Sequence, residues 1–364
     1  MDKALDVAPQ APAIRHQFRF EGSGGEYFKI WIVNLALSIV TLGIFSAWAK
    51  VRSKRYFYGN TYIGDHAFDY HGSPLRILVG RLIAAGILLL YGLSAAFLKW
   101  FVVVIGIALF FATPWLVNAS LRFNARNSSY RNIRFNFDGS YAEAFGAYIL
   151  WPLLAVVTLS TTIPLARRAR VQYNINNHSF GGRYFDAQLP GRSMYLIYLG
   201  AIGLLAGFAA AMGFLVLIAY LLAVARDASL ASVLALLAEQ VNHSVLSAIF
   251  LVVYVTVFLC MTTFIQAKVL NLALNHTSLS ARYKFDATIS AAKMIDLVLG
   301  NLFLMLVTLG LFYPWARVRT VEYLVENIAV TGGDGIEEFT SDLVSGQGAV
   351  GEEVANFFDV DVGL

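Results

Sequence analysis

Charged residues and cysteine are both scarce in this chain. Only 14% of its 364 residues are charged, whereas 58% are hydrophobic, a balance far outside that of soluble globular domains. The single cysteine, Cys260, excludes an intrachain disulfide and a Cys-X-X-Cys metal or redox site. The composition therefore predicts a protein embedded in a membrane.

The sequence also lacks the common catalytic and nucleotide-binding motifs, since it contains no His-Glu-X-X-His, Walker loop or Gly-X-Ser-X-Gly. His66 and His71, with Asp65 and Asp69, place four potential metal ligands close together. Residues five apart on a strand point to opposite faces, however, so a solvated hairpin is the favoured interpretation. We therefore expect no enzymatic activity and no catalytic, cofactor-binding or metal site.

Long apolar runs dominate what is present. A hydrocarbon core of about 30 Å needs roughly 20 apolar residues per helix. Seven windows approach that length, namely Ile30–Trp48, Leu82–Leu98, Trp100–Val117, Phe145–Leu165, Tyr195–Val224, Val245–Ile265 and Ile295–Trp315. They predict an all-α polytopic membrane protein with seven apolar helical segments.

A basic and aromatic motif follows several of these runs. "TLGIFSAWAKVRSKRYFYGN" (Thr41–Asn60) and "TLGLFYPWARVRTVEYLVEN" (Thr308–Asn327) differ little, and three weaker copies share their frame. In every copy an anchor residue precedes an asparagine by twelve positions, in the pairs Trp48 and Asn60, Trp115 and Asn127, Leu165 and Asn177, Thr263 and Asn275, and Trp315 and Asn327. The pattern predicts internal repeats, each with an interfacial helix that ends at an asparagine C-cap able to adopt the left-handed conformation.

Short segments that alternate aromatic and polar residues come after the asparagines. "HAFDYHGSP" from His66, "IRFNFDGS" from Ile133, "RYFDAQLPG" from Arg183 and "ARYKFDATI" from Ala281 are of this kind, as are "HQFRFEGSG" from His16 and "GIEEFTS" from Gly335. Alternation bounded by glycine or proline indicates strands. We expect these short juxtamembrane strands to pair in a small sheet.

These features divide the chain into five parts. We expect an N-terminal arm with one strand (1–26), two membrane repeat units (27–140 and 141–290), a half repeat unit (291–331) and an acidic C-terminal tail (332–364). The arm has no short apolar core followed by a small-residue cleavage site, so no removable signal peptide is expected.

Charge is strongly segregated along the chain. All 27 Lys and Arg lie at or before Arg319, and ten of the 23 Asp and Glu follow it. A basic body favours anionic lipid headgroups as partners. It does not favour nucleic acid, because the basic residues adjoin apolar windows instead of forming a separate module.

The positions of the Lys and Arg residues also predict the membrane topology, because basic residues are in excess on the cytoplasmic side of membrane proteins. Seven crossings would divide the 27 basic residues 13 to 14. If segments one, four and seven instead enter and leave on the same side, the division is 25 to 2, with only Lys99 and Arg226 outside. We favour this second arrangement, with the basic copies and the acidic tail in the cytoplasm.

Three polar residues lie within apolar windows, namely Asn34, Asp296 and Asn301. Polar groups at such depth are expensive and often functional, but they also form hydrogen bonds between helices. Structural bonding is the favoured interpretation, and a substrate or ion path is the alternative.

The quoted Thr41 and Thr308 stretches, with "FDYHGSP" and the ending "EEVANFFDVDVGL", resemble the YjgN-like family of bacterial inner-membrane proteins over nearly the whole chain. The copies around Leu165 and Thr263 depart from the tryptophan pattern of the first and last copies. The resemblance implies a multi-pass protein of the bacterial inner membrane, and because that family has no known function it implies no catalytic residue.

The function expected from these observations is a non-enzymatic membrane scaffold or a lipid-interacting protein. A transporter or channel for a small solute or ion, built from the internal repeats, is the alternative.

Overall fold

A computed structural model describes residues 14–97, 99–224, 243–280 and 282–332. Its strands form one closed antiparallel barrel. They are β1 (Ile14–Phe20), β2 (Thr61–Ile63), β3 (His66–Tyr70), β4 (Ser128–Tyr130), β5 (Ile133–Phe137), β6 (His178–Phe180), β7 (Arg183–Ala187), β8 (Thr277–Leu279), β9 (Tyr283–Ala287) and β10 (Ile328–Gly332).

The first strand closes the barrel. Strands β2 to β10 pair in chain order, and β1 lies between β2 and β10. Phe18 is opposite Ile63 on one side of β1, and Arg15 is opposite Thr331 on the other. Closure removes the exposed sheet edges that strands this short would otherwise present.

The helices occupy the segments between the strand pairs. They are α1 (Gly24–Val40), α2 (Ser46–Gly59), α3 (Pro74–Phe97), α4 (Lys99–Arg126), α5 (Tyr141–Phe145), α6 (Trp151–Val157), α7 (Ile163–Asn176), α8 (Gly191–Val224), α9 (His243–Asn275), α10 (Ala291–Val307) and α11 (Tyr313–Glu326), with a π-helical turn at Gly146–Leu150 between α5 and α6. Each packs against its neighbour along the chain, and α11 packs against α1, so the helices form a ring.

The barrel lies at one end of this ring. Strands β1, β3, β5, β7 and β9 each lead into a helix, and α2, α4, α7, α9 and α11 each lead back into a strand. Every helical segment therefore leaves the barrel and returns to it. This geometry agrees with the arrangement in which segments one, four and seven enter and leave on the same side, and it excludes seven crossings.

Four helices of the described chain are long and apolar enough to cross a membrane. Their candidate spans are Pro74–Ala96, Trp100–Arg126, Gly191–Leu215 and Phe250–Asn275. They form two antiparallel pairs, α3 with α4 and α8 with α9, and most of their surface faces outward. The chain is a membrane protein.

The other three apolar segments are helix hairpins that turn back. Helix α1 contains 17 residues, about 25 Å at 1.5 Å per residue, and a tight turn then reverses the chain into α2. The same turn joins α6 to α7 and α10 to α11. Each turn has a leucine with positive φ at its tip, and these leucines, Leu42, Leu159 and Leu309, are 95%, 89% and 93% exposed.

The predicted fold class is therefore wrong. An all-α protein with seven apolar helices and a small sheet was expected, whereas the structure has four candidate spans and a closed ten-stranded barrel. Windows such as Ile30–Trp48 are predominantly apolar along their whole length, so hydropathy alone does not show that a turn with Leu42 at φ 51° and Gly43 at φ 92° divides them.

Five of the predicted strand segments do form strands, as β1, β3, β5, β7 and β9. The sixth, from Gly335, lies outside the described residues, as does the predicted acidic tail (332–364) after Gly332, which is the last residue of β10. The missed strands are β2, β4, β6, β8 and β10. Most of these contain three residues, which is too short for a period of two to be recognised.

Candidate functional site

The inner face of the barrel is lined by apolar side chains from every strand. The odd-numbered strands each contribute a phenylalanine, namely Phe18, Phe68, Phe135, Phe185 and Phe285. The even-numbered strands contribute Ile63, Tyr130, Phe180, Leu279 and Val330. Alternation along a strand explains this, because every second side chain points to the same face. The barrel interior is therefore an aromatic and aliphatic environment.

These side chains do not fill the barrel. They surround a cavity of about 480 Å³, within which the ring of Phe68 lies 6.2 Å from that of Phe18 and 6.4 Å from that of Phe135. A cavity of this size, lined mostly by apolar groups, is typical of a small-molecule site. The hydroxyl of Tyr130 is satisfied by the backbone, because it donates a hydrogen bond to the Ile63 carbonyl at 2.8 Å.

The cavity extends toward the helices. Its lining includes Asn174 and Ile175 near the end of α7, Leu274 near the end of α9, and the adjoining strand residues His178 and Thr277. Because these helices lead from the membrane into the barrel, the cavity reaches the membrane-facing end of the barrel.

Small residues in two strands accompany this extension. Two residues after the inward-facing phenylalanine of each odd-numbered strand, β1, β3 and β5 carry a buried aromatic residue. At the same position β7 and β9 carry Ala187 and Ala287. The end of α7 contacts Ala187 through Asn176, whose Oδ1 accepts the Ala187 N–H at 2.7 Å, and Asn275 of α9 accepts the Ala287 N–H at 2.6 Å. The two alanines therefore lie beside the two helices that line the cavity.

His178 is the ionisable side chain at this end of the cavity. Its Nδ1–H donates to the Asn174 carbonyl, and its ring lies edge-on to Phe137 at 4.9 Å. Burial lowers the pKa of the His178 imidazole below its ordinary value, and the bond to Asn174 opposes that shift only in part. The neutral ring is thus favoured beside the apolar cavity.

The predicted asparagines connect the helices to the barrel. Asn60, Asn127, Asn177 and Asn327 each donate their Nδ2–H to the carbonyl four residues earlier, at 2.7 to 3.0 Å. Their own carbonyls accept an N–H from the residue after an odd-numbered strand, as Asn60 does from Glu21 at 2.9 Å. The C-cap position is as expected for Asn60, Asn177 and Asn327, but their φ values of −105°, −93° and −98° are not left-handed.

The fourth connection differs from the prediction. His276 occupies this position, since its Nδ1–H donates to the Leu272 carbonyl at 2.9 Å and its carbonyl accepts from Gln188 at 3.2 Å. Asn275 pairs instead with Ala287, as Asn176 does with Ala187. Helix α9 is one residue longer than the repeat pattern predicts, so His276 takes the position that an asparagine holds in the other connections.

The sequence did not reveal three tyrosines that lie four residues before the asparagines. The Tyr56 hydroxyl accepts the Ser23 N–H at 2.8 Å and donates to the Ser23 carbonyl at 2.9 Å. Tyr323 binds Ser290 in the same way, and Tyr173 donates to Ser140 at 3.4 Å. These serines begin α1, α10 and α5, so each tyrosine joins the base of a hairpin. The shared spacing of four residues between each tyrosine and its asparagine is the sequence feature that could have identified them.

The tryptophan anchors have packing roles. Trp48 stacks on Phe45 at 6.1 Å, and Trp315 stacks on Phe312 at 5.9 Å. Trp315 also covers Gly24 so closely that a Cβ there would lie 2.2 Å from its ring. Trp115 is 51% exposed on α4, as expected for an aromatic residue near a membrane interface.

The structure places the three intramembrane polar residues in different environments. Asn301 is buried and fully bonded. Its Nδ2 donates to the Ala316 carbonyl at 3.3 Å and to Thr320 Oγ1 at 3.4 Å, and its Oδ1 accepts from Arg319 at 3.2 Å. Asp296 is exposed on α10. They are not brought together.

Asn34 is also buried, at 4% exposure, but neither of its amide atoms has a hydrogen-bond partner. It lines a second cavity, of about 310 Å³, between α1, α2 and α11. A buried amide without partners is costly and calls for an explanation.

Comparison with known proteins identifies the family of this chain and relatives that are named as inner membrane proteins. Residues 15–357 match the family described as "Bacterial protein of unknown function (DUF898)". The chain is 25% identical over 368 residues to a Salmonella typhimurium protein named inner membrane protein YjgN, which covers 90% of this chain and 91% of that protein.

Two Escherichia coli proteins of the same name match over a shorter length. The O157:H7 protein is 27% identical over 147 residues and the K12 protein 29% over 148, each covering 40% of this chain and 37% of the relative. No solved structure matches the chain.

Proposed function

The chain belongs to the DUF898 family of bacterial proteins of unknown function, and we propose that it is a non-enzymatic protein that binds a lipid acyl chain inside its barrel. The apolar cavity of about 480 Å³ carries this proposal. An acyl chain gains about 0.8 kcal/mol for every CH₂ group removed from water, and the barrel offers a surface on which many such groups can be buried.

The position of the cavity supports a ligand that comes from the membrane. Its lining reaches Ile175 and Leu274 at the ends of α7 and α9. A chain entering there would pass from the lipid phase into the barrel without crossing bulk water. The lining residues of the described chain supply no carboxylate and no cysteine, which favours binding over chemistry.

The experiment changes the volume of the cavity without changing its polarity. Val330→Trp places a larger side chain in the cavity, and Thr331→Trp is the matched control because Thr331 is the next residue of the same strand and points outward. The ligand is 1-monooleoylglycerol, which has one acyl chain and no charge. Binding is measured by native mass spectrometry of the full chain.

We expect the wild-type chain and Thr331→Trp to bind monooleoylglycerol, and Val330→Trp to bind it at least about tenfold more weakly, since tenfold corresponds to 1.4 kcal/mol and the substitution displaces several CH₂ groups. Equal binding by both variants, or no binding by the wild type, would refute the proposal.

We further propose that the protein lies in the bacterial inner membrane with its barrel in the cytoplasm. The name of its relatives supports the membrane. The positive-inside rule supports the orientation, because four crossings leave only Lys99 and Arg226 of the 27 basic residues on the far side. The acidic tail then also belongs to the cytoplasm.

Cysteine labelling in intact cells tests this orientation. Asp65, whose side chain is 89% exposed in the turn between β2 and β3, is changed to cysteine in a Cys260→Ala background. We expect a membrane-impermeant maleimide to label Asp65→Cys only after the inner membrane is disrupted. Labelling in intact spheroplasts would place the barrel outside.

Internal duplication is also proposed as the origin of this architecture. The equal spacing of anchors and asparagines supports five copies of one unit, each a helix pair with one strand before it and one strand after it. The hydrogen bonds at Asn60, Asn127, Asn177, His276 and Asn327 support the same interpretation.

Transport of a small solute is the second candidate, and one observation favours it, namely the cavity at Asn34. The bonded state of Asn301 and the exposed position of Asp296 do not extend that cavity into a path. Binding therefore remains the better-supported function.

A further inference from the structure

Asn34 and Asn301 occupy matching positions in two hairpins, yet only one of them is bonded. Each lies fourteen residues before a tryptophan, Trp48 or Trp315. In the α10–α11 hairpin, Thr320 and the Ala316 carbonyl accept from Asn301. In the α1–α2 hairpin the corresponding bonds of Asn34 are missing, and a cavity of about 310 Å³ takes their place.

This second cavity is lined by hydrogen-bonding groups and a cation. Its polar lining residues in the described chain include Asn34, Ser38, Ser46, Lys50 and Ser53, and none is acidic. Its volume corresponds to about ten water molecules at roughly 30 Å³ each. The site can thus hold a polar group considerably larger than a single water.

Two cations meet at its mouth. Lys50 lines the cavity, and Arg81 of α3 donates a hydrogen bond from Nη1 to Ser46 Oγ. Within the described part of the chain, neither is ion-paired with a carboxylate. Lys50 lies about ten residues before the barrel end of α2, roughly 15 Å along the helix. Cations at such depth normally have a partner.

We propose that this cavity binds a phosphate group, supplied by a lipid headgroup or by free phosphate. Lys50 would supply the charge, and the Asn34 amide nitrogen would donate a hydrogen bond to a phosphate oxygen. The Ser38 and Ser46 hydroxyls already donate to the Asn34 and Gly43 carbonyls, and Arg81 would hold Ser46 in place. Charge-assisted bonds of this kind are the strong ones in proteins. The proposal does not depend on the barrel ligand, because the two cavities are separate.

The test uses the purified full chain in neutral detergent. One arm titrates inorganic phosphate against sodium chloride of equal ionic strength. The other titrates dihexanoyl phosphatidate against dihexanoylglycerol, which lacks the phosphate. Binding is followed by the thermal midpoint, which a ligand of the folded state raises, and by the emission of Trp31, which lines the cavity.

Lys50→Gln is the main variant, and Arg52→Gln is its matched control, because Arg52 lies on the same helix, is exposed and does not line the cavity. We expect Lys50→Gln to weaken phosphate or phosphatidate binding by about tenfold or more, and Arg52→Gln to bind as the wild type does. A response to phosphatidate alone identifies a headgroup as the source, and a response to both identifies any phosphate.

Asn34→Leu and Asn301→Leu provide a second comparison. Asn34→Leu should abolish binding without lowering the thermal midpoint of the unliganded protein, since it removes an unbonded amide. Asn301→Leu should lower that midpoint, because Arg319 and Thr320 lose their partner. If Asn34→Leu does not fold, Lys50→Gln decides. No response to either phosphate probe, or equal losses in Lys50→Gln and Arg52→Gln, would overturn the proposal.

Discussion

The residues that connect the helices to the barrel perform the same task with different chemistry. Asn60 and Asn327 satisfy a terminal helix carbonyl with an amide, and His276 satisfies one with an imidazole. The last turn of a helix leaves such carbonyls without partners. The residue after Asn60, Asn127 or Asn177 repeats the device, as Thr61 does toward Phe57 at 2.8 Å and His178 toward Asn174.

His178 makes stability depend on pH. Its folded-state pKa is lowered by burial, so the unfolded chain takes up a proton first as pH falls below about 6.5. The free energy of unfolding should therefore decrease through the range just below pH 6.5 and level off once the folded state is protonated too. We expect a lower thermal midpoint at pH 5 than at pH 7.5, and a smaller difference in His178→Gln.

His276→Gln is the control for this change, because His276 makes a similar bond to a helix carbonyl but is exposed. The difference between the two pH values should remain as large in His276→Gln as in the wild type. An unchanged difference in His178→Gln would assign the pH dependence to other groups.

At the scale of elements, hydropathy identified the apolar segments but not their ends. Segments one, four and seven have the length and composition of crossing helices, and only backbone conformation at the turns distinguishes them. Glycine does not mark every turn either. Gly43 and Gly310 follow the tip leucine in two hairpins, whereas Ser160 holds that position in the third and adopts φ 70°. Counting basic residues favoured entry and return on the same side for these segments, and the return of every helical segment to the barrel agrees with that arrangement.

Each hairpin turn is held by a threonine. Thr41 Oγ1 donates to the Leu37 carbonyl at 2.7 Å and accepts the Phe45 N–H at 2.9 Å, and Thr308 does the same with Leu304 and Phe312. Backbone groups in lipid need such internal partners. These hydroxyls make a tight turn possible at the deepest point of the hairpin.

The leucine at the tip should be sensitive to charge. Leu309 is 93% exposed and lies about 25 Å from the barrel along α10, so we expect it to contact hydrocarbon. Leu309→Asp should cost about 3 kcal/mol and reduce the yield of folded protein in size-exclusion chromatography of membrane extracts. Ile14→Asp, at an apolar residue of the barrel that is 47% exposed, should leave the yield nearly unchanged.

Equal yields of the two variants would mean that the tip of the α10–α11 hairpin contacts water. Loss of yield in Ile14→Asp alone would indicate that the barrel rim, and not the hairpin, is embedded in the membrane.

At the scale of the molecule, the closed barrel was the least predictable feature. The aromatic alternation around Phe68, Phe135 and Phe185 was sufficient to predict strands, and these residues line the cavity. Closure depends on pairing β1 with β10, which are separated by more than 300 residues. No local pattern encodes a contact between segments so distant in sequence.

An engineered disulfide tests that closure. Arg15 and Thr331 are direct partners across β1 and β10, and antiparallel partners have Cα atoms about 4.5 to 5.5 Å apart, within the range for a disulfide. Arg15→Cys with Thr331→Cys, in a Cys260→Ala background, should form an intrachain bond on oxidation. Nonreducing electrophoresis should show a faster band, and the thermal midpoint should rise because a long loop is closed.

The register supplies the control for this pair. Gln17 is opposite Ala329, so Gln17→Cys with Thr331→Cys joins diagonal neighbours about 7 to 8 Å apart, beyond what a disulfide spans. Only the first pair should cross-link if β1 completes the barrel. A barrel open at this position would leave β2 and β10 as free edges, and oxidation would then yield disulfide-linked dimers in place of the intrachain bond.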